Sequence, residues 1–90
     1  MDELMGKYGF VKIDSNDYVR AQGEYVIKAR VLDFIPGGFN PRMYTWVIHK
    51  KNGLVNDNCI SATERVTASN KIKVATDILN RMNTYVNMFI

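Results

Sequence analysis

The sequence predicts an α+β fold: an antiparallel sheet of three to four strands, connected as a meander and covered on one face by a long C-terminal helix. Three observations predict it. Ile72, Ala75, Leu79, Met82, Val86 and Phe89 recur at alternating steps of three and four residues, the spacing that lines one side of an α-helix. Between Glu24 and Phe34, the apolar Tyr25, Ile27, Ala29 and Val31 alternate with Glu24, Lys28 and Arg30, the period of a half-buried strand. Asn52-Gly53, set between two apolar segments, is a strong hairpin signal and implies a tight type I′ turn.

The chain of 90 residues has room for one core and therefore one domain, 1–90. A hydrophobic content of 47% with 23% charged residues suits a packed core and excludes a disordered or fibrous chain. No apolar run approaches the roughly 18 residues a membrane span needs. The start, Met1-Asp2-Glu3-Leu4, is acidic where a signal peptide is basic. A single cysteine, Cys59, permits no internal disulfide, so a cytoplasmic location is expected, with no membrane partner.

Taken in order, Tyr8 to Ile13 reads as a short strand closed by the turn cluster Asp14-Ser15-Asn16-Asp17. The longer strand Glu24 to Phe34 carries two apolar residues, Val26 and Leu32, on its nominally wet face, which implies that something covers part of that surface. Ile35 to Pro41 is a loop bounded by prolines. Phe39 at its tip either folds back as a lid or projects as a contact residue. Met43 to Lys51 is the third strand, with Tyr44, Trp46 and Ile48 on one face and Thr45, Val47 and His49 on the other; Trp46 is the expected core anchor. A fourth strand near Leu54 to Ile60 is weakened by Asn56-Asp57-Asn58, which favour turns. Two helix starts compete: the capping-box pattern Ser61-Ala62-Thr63-Glu64, and Ser69 or Asn70 immediately before the seam. The later start is favoured, because Arg65-Val66-Thr67 is β-prone.

The net charge of +3 is unevenly distributed: residues 40–90 hold seven bases against three acids. His49, Lys50 and Lys51 gather at the entry to the Asn-Gly turn, with Arg42 on the same hairpin, and form either a phosphate-gripping tip or an ordinary solvated hairpin end. Lys28 and Arg30 share a strand face and, with simple pairing, extend that patch toward Thr45 and His49. Lys71 and Lys73 add positive charge at the start of the helix. Tyr44 and Trp46 beside Arg42 resemble a base-stacking platform in composition, although alternating strand aromatics are ordinarily core.

Catalytic patterns are weak. One histidine and one cysteine in different elements make no conventional zinc site, and Pro36-Gly37-Gly38-Phe39 lacks the lysine and following helix of a phosphate-binding loop. The expectation is a protein that is not an enzyme and needs no cofactor. The helix end points elsewhere: Met82, Tyr85, Val86, Met88, Phe89 and Ile90 make an apolar arc wider than one sheet contact requires, beside a face of neutral Thr and Asn residues. Together with Phe39, this arc is the expected protein interface of a homo-oligomer. A meander with a terminal helix serves small DNA-binding domains, inhibitors encoded by phages and mobile elements, and adaptor subunits, so fold alone does not choose among them. The leading expectation is a small, self-associating binding protein that acts as an inhibitor or regulator by occupying a macromolecular surface. The alternative is a nucleic-acid-binding module that uses the basic hairpin surface.

Overall fold

A computed structural model describes all 90 residues. In chain order the elements are α1 (Asp2–Lys7), β1 (Val11–Lys12), β2 (Asp17–Gln22), β3 (Tyr25–Leu32), β4 (Arg42–His49), β5 (Gly53–Ser61) and α2 (Lys71–Asn87). The strands form one antiparallel sheet in the order β1-β2-β3-β4-β5, a meander in which every strand pairs with its sequence neighbours. No helix is long and apolar enough to cross a membrane.

The α+β class follows the sequence pattern; the sheet has five strands where three or four were expected. The added strand is β2, which hides between two turns and reads as polar. Its Tyr18 and Arg20 both turn toward the helix side, where Tyr18 is buried and Arg20 donates to Asn83, so no apolar alternation marks it. The first expected strand shrinks to Val11–Lys12, and the residues before it form α1, whose Met5 is fully buried. β5 runs nine residues through Asn56-Asp57-Asn58 despite their turn preference. That polar run lies on the open edge of the sheet, where it discourages pairing with a stray strand.

The core lies between the sheet and α2. Ile27, Ala29 and Val31 of β3, Met43 and Val47 of β4, and Ile60 of β5 share one buried cluster with Val74, Ala75, Ile78, Leu79, Met82 and Val86 of α2, and the polar Thr45 of β4 is buried as well. α2 begins at Lys71, the later of the two possible starts. Asn70 holds the preceding loop and not the helix: its Oδ1 accepts from the Thr67 N–H at 2.8 Å and its Nδ2 donates to the Arg65 carbonyl at 3.0 Å.

Three local expectations are corrected. The helix seam is rotated at its start, so that Val74 and Ile78 are buried whereas Ile72 is 59% exposed. Trp46 is no anchor of the helix-covered core, because the buried positions of β4 are Met43, Thr45 and Val47, and alternation turns Tyr44, Trp46 and Ile48 to the other face. The β4–β5 connection is a loop of Lys50, Lys51 and Asn52 closed by Gly53 at φ +87°, not a two-residue type I′ turn; Asn52 keeps negative φ.

The loop between β3 and β4 turns on Asp33 and Asn40, both left-handed, a conformation their short polar side chains tolerate. Gly38 is required there, since a Cβ would lie 2.2 Å from the Asp33 carbonyl oxygen. This close approach lets the Gly37 N–H and the Gly38 carbonyl bond to Val66, tying the loop to the crossing from β5 to α2.

Candidate interaction face of the sheet

A sheet covered on one side has a second face to account for, and antiparallel sheets ordinarily turn polar residues outward there. In this protein the outward face is aromatic at its centre. Cross-strand register sets Lys28 beside Trp46 and Trp46 beside Asp57, and in the next row Arg30 beside Tyr44 and Tyr44 beside Cys59. The Tyr44 and Trp46 rings lie 4.7 Å apart between centroids, tilted by 46°. Lys28 Nζ stands 5.1 Å and the Arg30 guanidinium 5.7 Å from the Trp46 ring, within cation–π range. Val26, Ile48 and Leu54 form a further row on this face, on which Val26 and Leu32 are half-buried.

Charge on this face is balanced within and between strands. Asp17 accepts from Arg30 Nε at 2.7 Å and Nη2 at 3.0 Å, which holds its carboxyl below the usual carboxylate range, with Lys28 a further 3.9 Å contact. Arg42 is paired with Asp33 at 2.5 Å. Asp57 has no ion-pair partner, and Lys28 has only its distant contact with Asp17.

The basic residues expected to act together are scattered. Lys28 and Arg30 pair with Trp46 and Tyr44, not with Thr45 and His49, and so do not extend a hairpin-tip patch. His49 organises its turn: Nδ1 accepts from the Lys51 and Asn52 N–H groups, and the ring meets Tyr25 edge-on at 5.1 Å. Lys50 and Lys51 project at the tip, whereas Arg42 sits at the far end of β4. Lys71 and Lys73 begin α2, the end of the helix remote from the tip, in a molecule 40 Å long.

The expected helix-end interface is largely absorbed by the protein itself. Met82 and Val86 are fully buried in the core, which removes them as surface contacts. Tyr85 donates to Asn56 Oδ1 at 2.5 Å and packs edge-on against Phe89, whose ring centroid is 5.1 Å away. Met88 at 74% and Ile90 at 46% exposure remain outside. Phe39 projects at 56% exposure, with the Arg65 guanidinium 5.8 Å from its ring.

Sequence reasoning also missed two polar contacts near α1. Asp2 accepts from Tyr18 Oη and from Lys12 Nζ, which lowers its pKa; burial, with the Asp2 hydrogen bond, pushes the Tyr18 phenol up to about 12. They flank a cleft of about 380 Å³ between α1 and the loop after β3. Arg20 donates to the Tyr8 carbonyl at 2.9 Å and to Asn83 Oδ1 at 3.0 Å and stacks on Phe10 at 4.7 Å, with no carboxylate partner. Asn83 lies in the last turns of α2, whose exposed carbonyl dipoles favour a cation there. His, Cys, Asp and Glu side chains nowhere gather in threes.

No family model, curated protein or solved structure matches the chain.

Proposed function

We propose that this is a small non-enzymatic binding protein that acts by occupying a protein surface, as an inhibitor or regulator does, and that its working surface is the open face of the sheet. The observation that carries the reading is the Tyr44–Trp46 pair at the centre of that face, flanked by Lys28 and Arg30. Tryptophan, tyrosine and arginine are the side chains that dominate binding energy in protein interfaces, and polar or compensated charges around them form the usual rim. Interiors of small domains spend such residues on the core, as this one spends Phe10, Tyr18 and Phe34; Tyr44 and Trp46 instead face out.

The test is capture of partners from nuclease-treated extract by the wild-type chain and by Trp46→Ala, with the urea midpoint confirming that the variant is folded. Partners retained by the wild type and lost by the variant are expected; equal capture by both overturns the reading. A second reading, binding of single-stranded nucleic acid, is favoured by the same stacking geometry, since bases stack on aromatics between cations. It predicts that nuclease abolishes the Trp46-dependent capture and that binding falls steeply with salt.

A further inference from the structure

We infer that the occupant of the open face is a second copy of this chain, packed face to face about a twofold axis that runs along β4 through Trp46. The inference rests on the reading of this face as the working surface and names its partner. Aligned packing of two sheets is a standard arrangement, with strands about 30° apart. A twofold interface requires a surface complementary to itself.

The register supplies that complementarity. Lys28, Trp46 and Asp57 lie side by side on β3, β4 and β5. Rotation about an axis along β4 carries β3 of one copy over β5 of the other, so Lys28 meets Asp57 of the partner, Asp57 meets Lys28 of the partner, and Trp46 meets its own counterpart. The same rotation sets Val26 over Leu54, apolar on apolar. The alternative axis, crossing the strands at Trp46, would stack Lys28 on Lys28 and Asp57 on Asp57, and like charges across an interface are strongly disfavoured. Charge thus selects one of the two in-plane axes, and it uses the carboxylate that lacks a partner within one copy and the lysine that has only a 3.9 Å one.

Size is consistent with a modest dimer. Three strands of about eight residues cover roughly 14 Å by 27 Å, so about 380 Å² per copy and about 760 Å² in all are buried, the size of a weak, transient interface.

Sedimentation equilibrium from about 5 to 500 μM, the range in which a weak dimer forms, tests the inference on the wild type, Lys28→Asp, Asp57→Lys, the double exchange and Met88→Asp. A wild-type dimer is expected. Each single exchange should weaken it about tenfold or more, because it brings two like charges together. The double exchange should restore it, and Met88→Asp should leave it unchanged. A folding defect in a single variant would not be repaired by adding the second, so restoration reports the contact itself. A monomer throughout, a dimer indifferent to either single exchange, or a double variant no tighter than the singles each overturns the second copy as occupant. The broader reading fails separately, through equal capture by wild type and Trp46→Ala.

Discussion

The two faces of the sheet are built from the same strands and differ by one residue of offset. On the helix side, β3 and β4 present Ile27, Ala29, Val31, Met43, Thr45 and Val47, all buried; on the open side they present Lys28, Arg30, Leu32, Tyr44, Trp46 and Ile48, all partly solvated. The buried face is the smaller in side-chain volume, with Ala29 directly beside Thr45 at its centre. A helix must lie about 10 Å from a sheet, and small or branched side chains fill that gap where an indole overfills it. The comparison teaches that the largest aromatic need not mark the core. What fits under a helix goes inside, and what is left exposed is available for recognition.

The sharpest way to break this distinction is to truncate one residue on each face. Met82→Ala, from a fully buried helix position, should cost about 2–5 kcal/mol in urea denaturation. Trp46→Ala should cost less than about 1.5 kcal/mol, since a partly solvated side chain leaves no sealed cavity. Equal losses would place Trp46 in the core and remove the difference between the faces.

Thr45 sharpens the description of the covered face. Its buried hydroxyl has a single long contact, 3.5 Å to the Met43 carbonyl. Replacement of a poorly bonded buried hydroxyl by a methyl relieves desolvation, so Thr45→Val should stabilise the protein by about 1 kcal/mol. A loss of similar size would show that the hydroxyl is better bonded than its geometry indicates.

Two pH dependences follow from the polar contacts, one on each face. Tyr18, on the covered side, has its folded pKa raised to about 12. Its contribution to stability is therefore complete below the ordinary tyrosine value and is lost as pH rises through about 10 toward 12. In an ultraviolet titration of the five tyrosines, the latest-ionising step should be lost in Tyr18→Phe, leaving that of Tyr85, whose phenol is also pushed up by burial. Asp17, on the open side, has its folded pKa lowered by Arg30. Its smaller contribution is present above the ordinary aspartate value and is lost as pH falls through the lowered one. Asp17→Asn should lower stability near neutral pH and make the acid limb of a stability-against-pH curve shallower, with the part due to Asp2 remaining.

Much of this was legible locally. The strand over Tyr25–Leu32, the strand beginning near Met43, the hairpin at Asn52-Gly53 and the helix from Lys71 are each written in a period or a turn residue. β2 was not, because Arg20 occupies an inward position and satisfies its guanidinium on Tyr8, Asn83 and the Phe10 ring, contacts far apart in sequence. α1 was not, because six residues carry too little pattern. Among the candidate site residues, alternation marks the strand pair Lys28 and Arg30 as one patch, but simple pairing takes its neighbours from the wrong face. Only pairing register shows that they flank Trp46 and Tyr44. The sequence alone does not separate Met82 and Val86 from contact residues, because an apolar arc looks the same whether its cover comes from the same chain or another.

By itself the sequence determined the class of fold, the alternation of β3 and β4 and the existence of an amphipathic final helix, because these depend on the fixed periods of strand and helix. Which of two mixed faces the helix would cover was decided only by tertiary packing. Alternation divides residues into two sets without saying which set is inside; that choice depends on how side-chain volumes from segments tens of residues apart fill a common space.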